Sequence, residues 1–303
     1  MSNKKALNKT PCAIAVRGYL LHLTHYDPGW YSRKADEQPF DLDLALEIVD
    51  ELAARQFNAL LVGVSDGVQY RSHPELAKPY SVPMAQLARL CEHARSHGME
   101  IIPKLNFSRS AINHHDEWLR VPGEEWHTHF DDEYYWKTAF EVIDELIDVC
   151  KPERFFHCGM DEDHERSYSQ FVAAVETLQT GLKQRGLRPV LWSDSSLDYA
   201  SGDIYREKSL LVEDRVAGDG IRLLWNYWAV PADIMRTITS QGHELWGAPG
   251  WSSEQQVSDF REALVAAGGT GMVMTRWAPC RRSNHQELLD PIRLLGPLYA
   301  GKT

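Results

Sequence analysis

The stretch 155-FFHCGMDEDHER-166 passes from an apolar run to a burst of acids within a few positions. Its adjacent carboxylates, Asp161 and Glu162, stand where a buried strand should run out. Within a strand, neighbouring side chains alternate faces. At a strand's end the chain turns, so both can enter one pocket from different directions. Two carboxylates in unlike surroundings divide the labour of acid–base chemistry. One stays ionised and orients or stabilises, while the other holds a proton and delivers it. Glycosidic cleavage needs that division. The bland alternative is a solvated acidic start to a helix, where carboxylates are favoured. Asp163 and Glu165 fit that alternative, whereas Asp161 and Glu162 lie nearer the strand.

Such a pair needs a scaffold. Apolar runs of strand length recur at 13–23, 58–64, 99–107, 154–159, 190–194, 221–228, 243–249 and 271–277. Helical patterns follow most of them, at 42–56, 83–98, 133–150, 165–186, 231–240, 254–267 and 286–296. This alternation predicts an α/β fold, a single (β/α)8 TIM barrel over residues 12–303 behind a flexible tail, 1–11. The runner-up, an open doubly wound sheet, has no glycine-rich phosphate loop to support it.

A barrel gathers its chemistry at the C-terminal ends of its strands. Read that way, the mouth would receive Arg17 with His22 and His25, then Asp66, Lys104 with Asn106, and His157 with the acid pair. Trp192 and Asp194 would follow, then Trp225, Asn226 and Tyr227, Trp246 and Trp251, and Arg276 and Trp277. Trp192, Trp225, Trp246, Trp251 and Trp277, five of the 10 tryptophans, fall at or just past the last four strands. Indole faces stack on the C–H faces of sugar rings, so an aromatic wall with convergent polar groups predicts a carbohydrate pocket. The alternative is that these indoles fill space between barrel and helices.

The 303 residues carry a net charge of -11, which disfavours nucleic acid and anionic membrane as partners. No apolar stretch is long enough to span a bilayer, and no leader is evident at the N-terminus. The expected location is the cytoplasm. Five widely spaced cysteines, Cys12, Cys91, Cys150, Cys158 and Cys280, read as buried thiols.

At 157-HCGMDE-162 the sequence resembles the H-x-G-G-D-E motif of glycoside hydrolase family 20, the β-N-acetylhexosaminidases. That family is a (β/α)8 barrel with this motif at the end of its fourth strand. 17-RG-18 and 192-WSD-194 are similar to its first- and fifth-strand signatures, and Trp225 and Trp277 fall where it places pocket tryptophans. The resemblance implies an exo-acting, retaining glycosidase with substrate-assisted catalysis and no cofactor or metal. Glu162 would protonate the leaving oxygen, and Asp161 would hold the N–H of the 2-acetamido group while its carbonyl attacks C1. Arg17 would grip sugar hydroxyls, with Trp192, Trp225 and Trp277 boxing the ring. His157, Asp194, Tyr227, Trp246 and Trp251 complete the expected substrate-binding set. The partner is a terminal amino sugar or related glycoside. Several positions depart from the family. Met160 replaces a glycine. At 103-PKLNFSRS-110, Lys104 and Asn106 replace two acids. The seventh strand lacks the family's tyrosine, for which Tyr227 is a substitute.

Two other function classes remain open. A non-catalytic glycan-binding barrel is favoured by the loss of the third-strand acids. A metal-dependent sugar enzyme would gather His22, His25, His157, Asp161 and Asp194. The segment 113–136, rich in His, acids and aromatics, reads as a lid, a subsite wall or a dimer contact, and 281-RR-282 as a solvated surface in preference to a site for an acidic or phosphorylated sugar.

Overall fold

A computed structural model describes residues 14–25, 37–109, 131–195 and 205–301. The expected tail, 1–11, and most of the segment 113–136 lie outside the described residues.

Short apolar runs become strands because every residue of them finds a buried neighbour. Ala59–Gly63 and Phe155–Gly159 are buried throughout, as strands covered on both faces must be. In chain order the elements are β1 (Val16–His22), α1 (Leu42–Ala54), β2 (Ala59–Gly63), β3 (Val68–Gln69), β4 (Val82–Pro83), α2 (Met84–Ser96) and β5 (Glu100–Lys104). There follow α3 (Glu133–Cys150), β6 (Phe155–Gly159), α4 (Tyr168–Gln184), β7 (Arg188–Asp194), α5 (Tyr205–Arg215) and β8 (Ile221–Trp225). The chain continues with α6 (Ala232–Ser240), β9 (Glu244–Ala248), α7 (Glu254–Ala266), β10 (Gly271–Pro279) and α8 (His285–Tyr299).

Eight strands close into a parallel barrel in the order β1-β10-β9-β8-β7-β6-β5-β2, while β3 and β4 form a small ribbon beside it. Closure between β1 and β10, from Val16 opposite Gly271 onward, excludes the open sheet. The fold is therefore the (β/α)8 barrel that the alternating pattern predicts. Helix starts are capped by side chains the sequence supplies. Asp41 accepts from Leu44 N–H, Asp132 from Tyr135 N–H, and Ser167 forms a reciprocal capping box with Gln170.

The core has two parts. One packs the strands' outer faces against the helices. The other fills the barrel itself, with Val16, Leu20, Leu61, Ile102, Phe155, Val190, Leu223, Trp246 and Val273. Four described cysteines, Cys91, Cys150, Cys158 and Cys280, are free and buried, as the sequence predicts. No helix among the described residues is long and apolar enough to cross a membrane.

Helix α5 has no counterpart in the sequence pattern, for a physical reason. Its buried side carries Arg206, Lys208, Ser209 and Glu213, while Leu210 faces out. Its charges are matched rather than solvated. Arg206 donates to both Glu213 oxygens at 2.7 and 2.7 Å, and Lys208 reaches Asp163 at 3.0 Å. An apolar-stripe search cannot find a helix whose inner face is ionic.

Candidate active site

The interior of the barrel changes character towards its C-terminal mouth. In strand register, His22 lies opposite Gly63, Gly63 opposite Lys104, and Lys104 opposite His157. This puts three basic side chains in one row beneath the mouth. Gly63 is needed there, because a Cβ on it would meet His22 Nδ1 at 2.6 Å. His157 is buried, and its Nδ1 accepts from Gly159 N–H at 3.0 Å. That bond leaves the ring proton on Nε2. Burial, then the nearby Lys104 charge, holds His157 well below the usual imidazole range, and His22 shifts the same way for the same reasons. Burial also pulls Lys104 down from 10.5 to about 7, against the opposing pull of Asp161 and Cys158.

The acid pair sits directly above this row. Residues 159, 160 and 162 all take the left-handed backbone, with φ of 70°, 76° and 50°. For Met160 and Glu162 this conformation is uncommon and strained, a pattern associated with functional turns. The turn throws Met160 outward, against Phe171, Val175 and Leu191, and Asp161 towards the mouth. Position 160 thus needs a positive φ, which glycine meets freely; here a buried methionine does it. Met160 N–H donates to Asn106 Oδ1 at 3.0 Å, and Asn106 Nδ2 donates to Asp161 Oδ1 at 2.7 Å. Asn106 also accepts from Ser108 N–H at 2.9 Å, so its amide is fully oriented. A Cβ at residue 159 would stand 2.0 Å from Asn106 Oδ1, so Gly159 is required for this contact.

Glu162 is half-buried, and its N–H points to Asp194 Oδ2 at 3.4 Å. Asp194 in turn accepts from Trp225 Nε1 at 2.9 Å. Its own N–H meets Ser209 Oγ at 3.0 Å, and Arg206 donates to its carbonyl at 3.2 Å. Helix α5 therefore steadies the end of β7, and through Lys208 and Asp163 also the turn after Glu162. Asp163 is not the solvated helix-start acid that the sequence suggests. It is buried, takes Arg166 at 2.7 Å and Arg109 N–H at 2.7 Å, and is held below the usual carboxylate range by those charges and hydrogen bonds despite burial.

Aromatic side chains wall the mouth. Trp192 packs edge-on to His157 with ring centres 4.8 Å apart, and lies 6.1 Å from Trp277. Trp277 stacks on His22 at 5.0 Å. Tyr227 Oη accepts from Trp277 Nε1 at 2.9 Å and from Thr275 Oγ1 at 3.2 Å. Both lone pairs are then used, and the phenolic proton remains to be given to a ligand. Burial raises the Tyr227 phenol above its ordinary range, and the charges of Asp161 and Glu162 push it further the same way. Both carboxylates thus act on the same phenol. Trp251 follows at 5.3 Å from Tyr227, with the Arg276 guanidinium 4.5 Å above its ring.

Two expected binding residues lie elsewhere. Arg17 is near the start of β1 and on its outer face, where it donates to the carbonyls of Gln56 at 2.7 Å and Ile14 at 3.2 Å. Trp246 does enter the barrel, but at its lower end. It lies opposite Gly271, the first residue of β10, and packs against Phe155 at 5.0 Å. A Cβ on Gly271 would meet the indole at 2.5 Å. The stagger of barrel strands explains the misreading: the third residue of β9 is level with the first of β10.

The residues of the metal reading do not all share one centre. His25 is bound to Glu37, which Arg281 also contacts, and Glu37 stays below the usual carboxylate range through these bonds despite its burial. Arg282 contacts Asp41 at 3.1 Å and Glu47 at 3.1 Å, so 281-RR-282 is an ion-paired seam rather than a free basic surface. Among the described residues, the group spaced to share a metal ion is Asp50 on α1, His93 on α2 and His97 just past the end of α2, on the outside of the barrel. Trp228, Asn106 and Thr275 join the candidate set. The sequence placed Asn106 at the mouth and marked it as a replaced acid without a role, and gave Trp228 and Thr275 none.

No family model and no curated protein matches the sequence. Solved structures do match the fold. A glycoside hydrolase family 20 β-N-acetylglucosaminidase superposes with a TM-score of 0.66 at 18% identity, over 95% of this chain and 70% of its own. The likeness is one of fold: the closed eight-stranded barrel is similar to the barrel of that enzyme. A Streptomyces plicatus β-hexosaminidase in complex with its product GlcNAc gives 0.66 at 16%, over 94% of this chain and 63% of that one. Dispersin B gives 0.61 at 14%, over 95% and 99%. This chain thus spans less than two thirds of the Streptomyces protein but nearly all of dispersin B. The fold assigned from 157-HCGMDE-162 and the strand count is the fold these neighbours share.

Proposed function

We propose that the protein is a glycoside hydrolase acting at the non-reducing end of glycans carrying a 2-acetamido sugar, with retention of configuration. The observation that carries this reading is the paired placement of Asp161 and Glu162. Asp161 is oriented by Asn106 and Glu162 is set by Asp194, under a wall of Trp192, Trp225, Tyr227 and Trp277.

In this reading a sugar ring lies against the indoles. Asp161 Oδ1 is occupied by Asn106, and its other oxygen accepts the acetamido N–H. The Tyr227 O–H donates to the acetamido carbonyl oxygen, which attacks C1. The C1–O bond to the leaving group breaks as Glu162 gives its proton to that oxygen, and an oxazolinium forms. Glu162, now a carboxylate, takes a proton from water as the water opens the ring at C1. No enzyme nucleophile is required. Lys104 and Asn106 do not oppose this scheme. Asn106 supplies a neutral donor to Asp161, and Lys104 a partial positive charge below it, and both favour the ionised aspartate. The free, buried cysteines suit the cytoplasm, where we place the protein.

A panel of chromogenic glycosides tests the reading. The expected result is release from 2-acetamido β-glycosides and none from the matching 2-hydroxy sugars, with inhibition by a thiazoline analogue of the oxazolinium. Cleavage of 2-hydroxy sugars would keep the hydrolase and overturn the substrate-assisted mechanism. Sugar binding with no cleavage of any substrate would put the glycan-binding barrel in its place.

A further inference from the structure

We infer that Asp50, His93 and His97 form a binding site for a divalent transition-metal ion, zinc by the chemistry of its donors, which ties α1 to α2 at the lower end of the barrel. The site goes beyond the glycosidase reading and does not depend on it. Its signal in the sequence is 93-HARSH-97, two histidines four residues apart. On a helix that spacing puts both side chains on one face, one turn apart. His93 lies in the last turn of α2, and His97 caps that helix with its N–H still bonded back to the Ala94 carbonyl at 3.1 Å. Asp50 comes from the neighbouring helix, 43 positions earlier in the chain than His93.

Both imidazoles turn Nε2 to the same carboxylate oxygen. His93 Nε2 stands 2.7 Å from Asp50 Oδ1, and His97 Nε2 stands 3.0 Å from it. The two rings meet edge to face with centres 4.9 Å apart. One ligand atom from each of the three residues lies within 4.8 Å of the other two. Around a tetrahedral zinc, with bonds of about 2.0–2.2 Å, ligand atoms stand about 3.3 Å apart. The spacings to Oδ1 need to open by only a few tenths of an ångström. Each Nε2 can give a proton to Oδ1, or, with the proton on Nδ1, offer its lone pair to a cation. Two imidazoles with one carboxylate suit zinc and its neighbours in the first transition row, whereas magnesium and calcium take oxygen ligands.

The ligands ride on fixed elements. Ile48, Val49 and Leu52 bury one face of α1, and Leu90, Cys91 and Ala94 bury one face of α2, so the three side chains are positioned before an ion arrives. Arg95, the other base in the last turn of α2, points away and donates to the Cys150 carbonyl at 2.7 Å. The carbonyl end of a helix favours a cation. All three side chains are partly exposed, so an ion enters from solvent and water completes its coordination. Helix α2 ends just before β5 begins, which sets the site at the opposite end of the barrel from Lys104 and the acid pair.

The test uses the intact chain without a histidine tag, stripped of metal with EDTA and titrated with zinc chloride by calorimetry at neutral pH. Wild type should take up one zinc with a micromolar Kd, and its melting temperature should climb as zinc exceeds that Kd. Asp50→Asn and His97→Ala, both at the surface, should melt like metal-free wild type and show no zinc-dependent rise. Their affinity should fall by at least about 10–100-fold, the cost of losing even a supporting partner of a metal site. Magnesium should not replace zinc. Zinc that binds wild type and both variants alike is an adventitious ion only and overturns the site, as does the absence of saturable binding. Should one variant fail to fold, the other decides by the same readouts. None of these measurements uses a glycoside, so a failure of the glycosidase reading leaves their outcome unchanged.

Discussion

The lower part of the barrel is filled by Val16, Ala59, Phe155, Ile221 and Trp246, whereas towards the mouth stand His22, Lys104, His157, Asp161 and Asp194. Both ends are buried. The lower end gains from burial alone, since each large apolar side chain contributes on the order of 2 kcal/mol when removed from water. The upper end buries charge and ring nitrogens, which costs free energy unless each group is held by a partner. The same residue type shows the contrast. Trp246 plugs the bottom, while Trp225 uses its N–H to hold a carboxylate at the mouth. The lower half carries stability and the upper half spends it on an arrangement of acids and bases.

The sharpest break of this contrast is at the bottom. Trp246→Ala should destabilise the fold by about 3–5 kcal/mol, through lost burial and a cavity against Phe155 and Gly271. Chemical denaturation reads this directly. A loss near zero would mean the lower plug is not where stability resides.

A second test uses pH in the upper half. The folded-state pKa of Lys104 is lowered from 10.5 to about 7. Between those values the unfolded chain holds a proton that the folded chain has released, so this residue makes stability rise with pH. Below pH 7 both states hold the proton and the burial cost is fully present. Replacing Lys104 with Met should remove that cost, and its stabilising effect should be largest at pH 6.5 and shrink towards pH 9. Parallel curves for wild type and variant would show that Lys104 is not so perturbed.

Trp225→Phe keeps a ring in the wall but removes the donor to Asp194. The expected loss is about 10-fold in kcat/KM, equivalent to a hydrogen bond to a charged group, with thermal stability nearly unchanged. An equal fall in stability would mark the contact as structural. The smallest effect belongs to Arg17→Ala, which should leave KM unchanged within about 2-fold and alter stability by about 0–1 kcal/mol. A large rise in KM would put Arg17 at the mouth after all.

These contrasts also explain what the sequence could and could not disclose. The strands are legible because their runs, such as 59-ALLVG-63, are buried on both faces and contrast with amphipathic helices between them. The acid pair is legible because it ends an apolar run and has no other reason to be there. Arg17 and Trp246 are misplaced because nearness to a strand end in sequence does not give height in a staggered barrel, nor the side a residue faces. Helix α5 escapes because its inner face is ionic. Asp163 escapes for the same reason, since its partners Arg166 and Lys208 identify it only once the chain is folded. The role of Asn106 depends on a turn with three consecutive constraints, at Gly159, Met160 and Asp161, that no periodicity encodes.

The most direct test of the account is the rate at which wild type and Glu162→Gln hydrolyse an N-acetylglucosamine disaccharide, whose sugar leaving group needs a proton. The two proteins should melt alike, because Glu162 is half-buried and the exchange keeps its size and its backbone N–H contact with Asp194. The variant should lose about 10²–10⁴-fold in kcat/KM, the span of general acid–base catalysis. Equal rates in the two proteins would contradict the assignment of the proton to Glu162, and with it the claim that the upper half of this barrel is a glycosidase site.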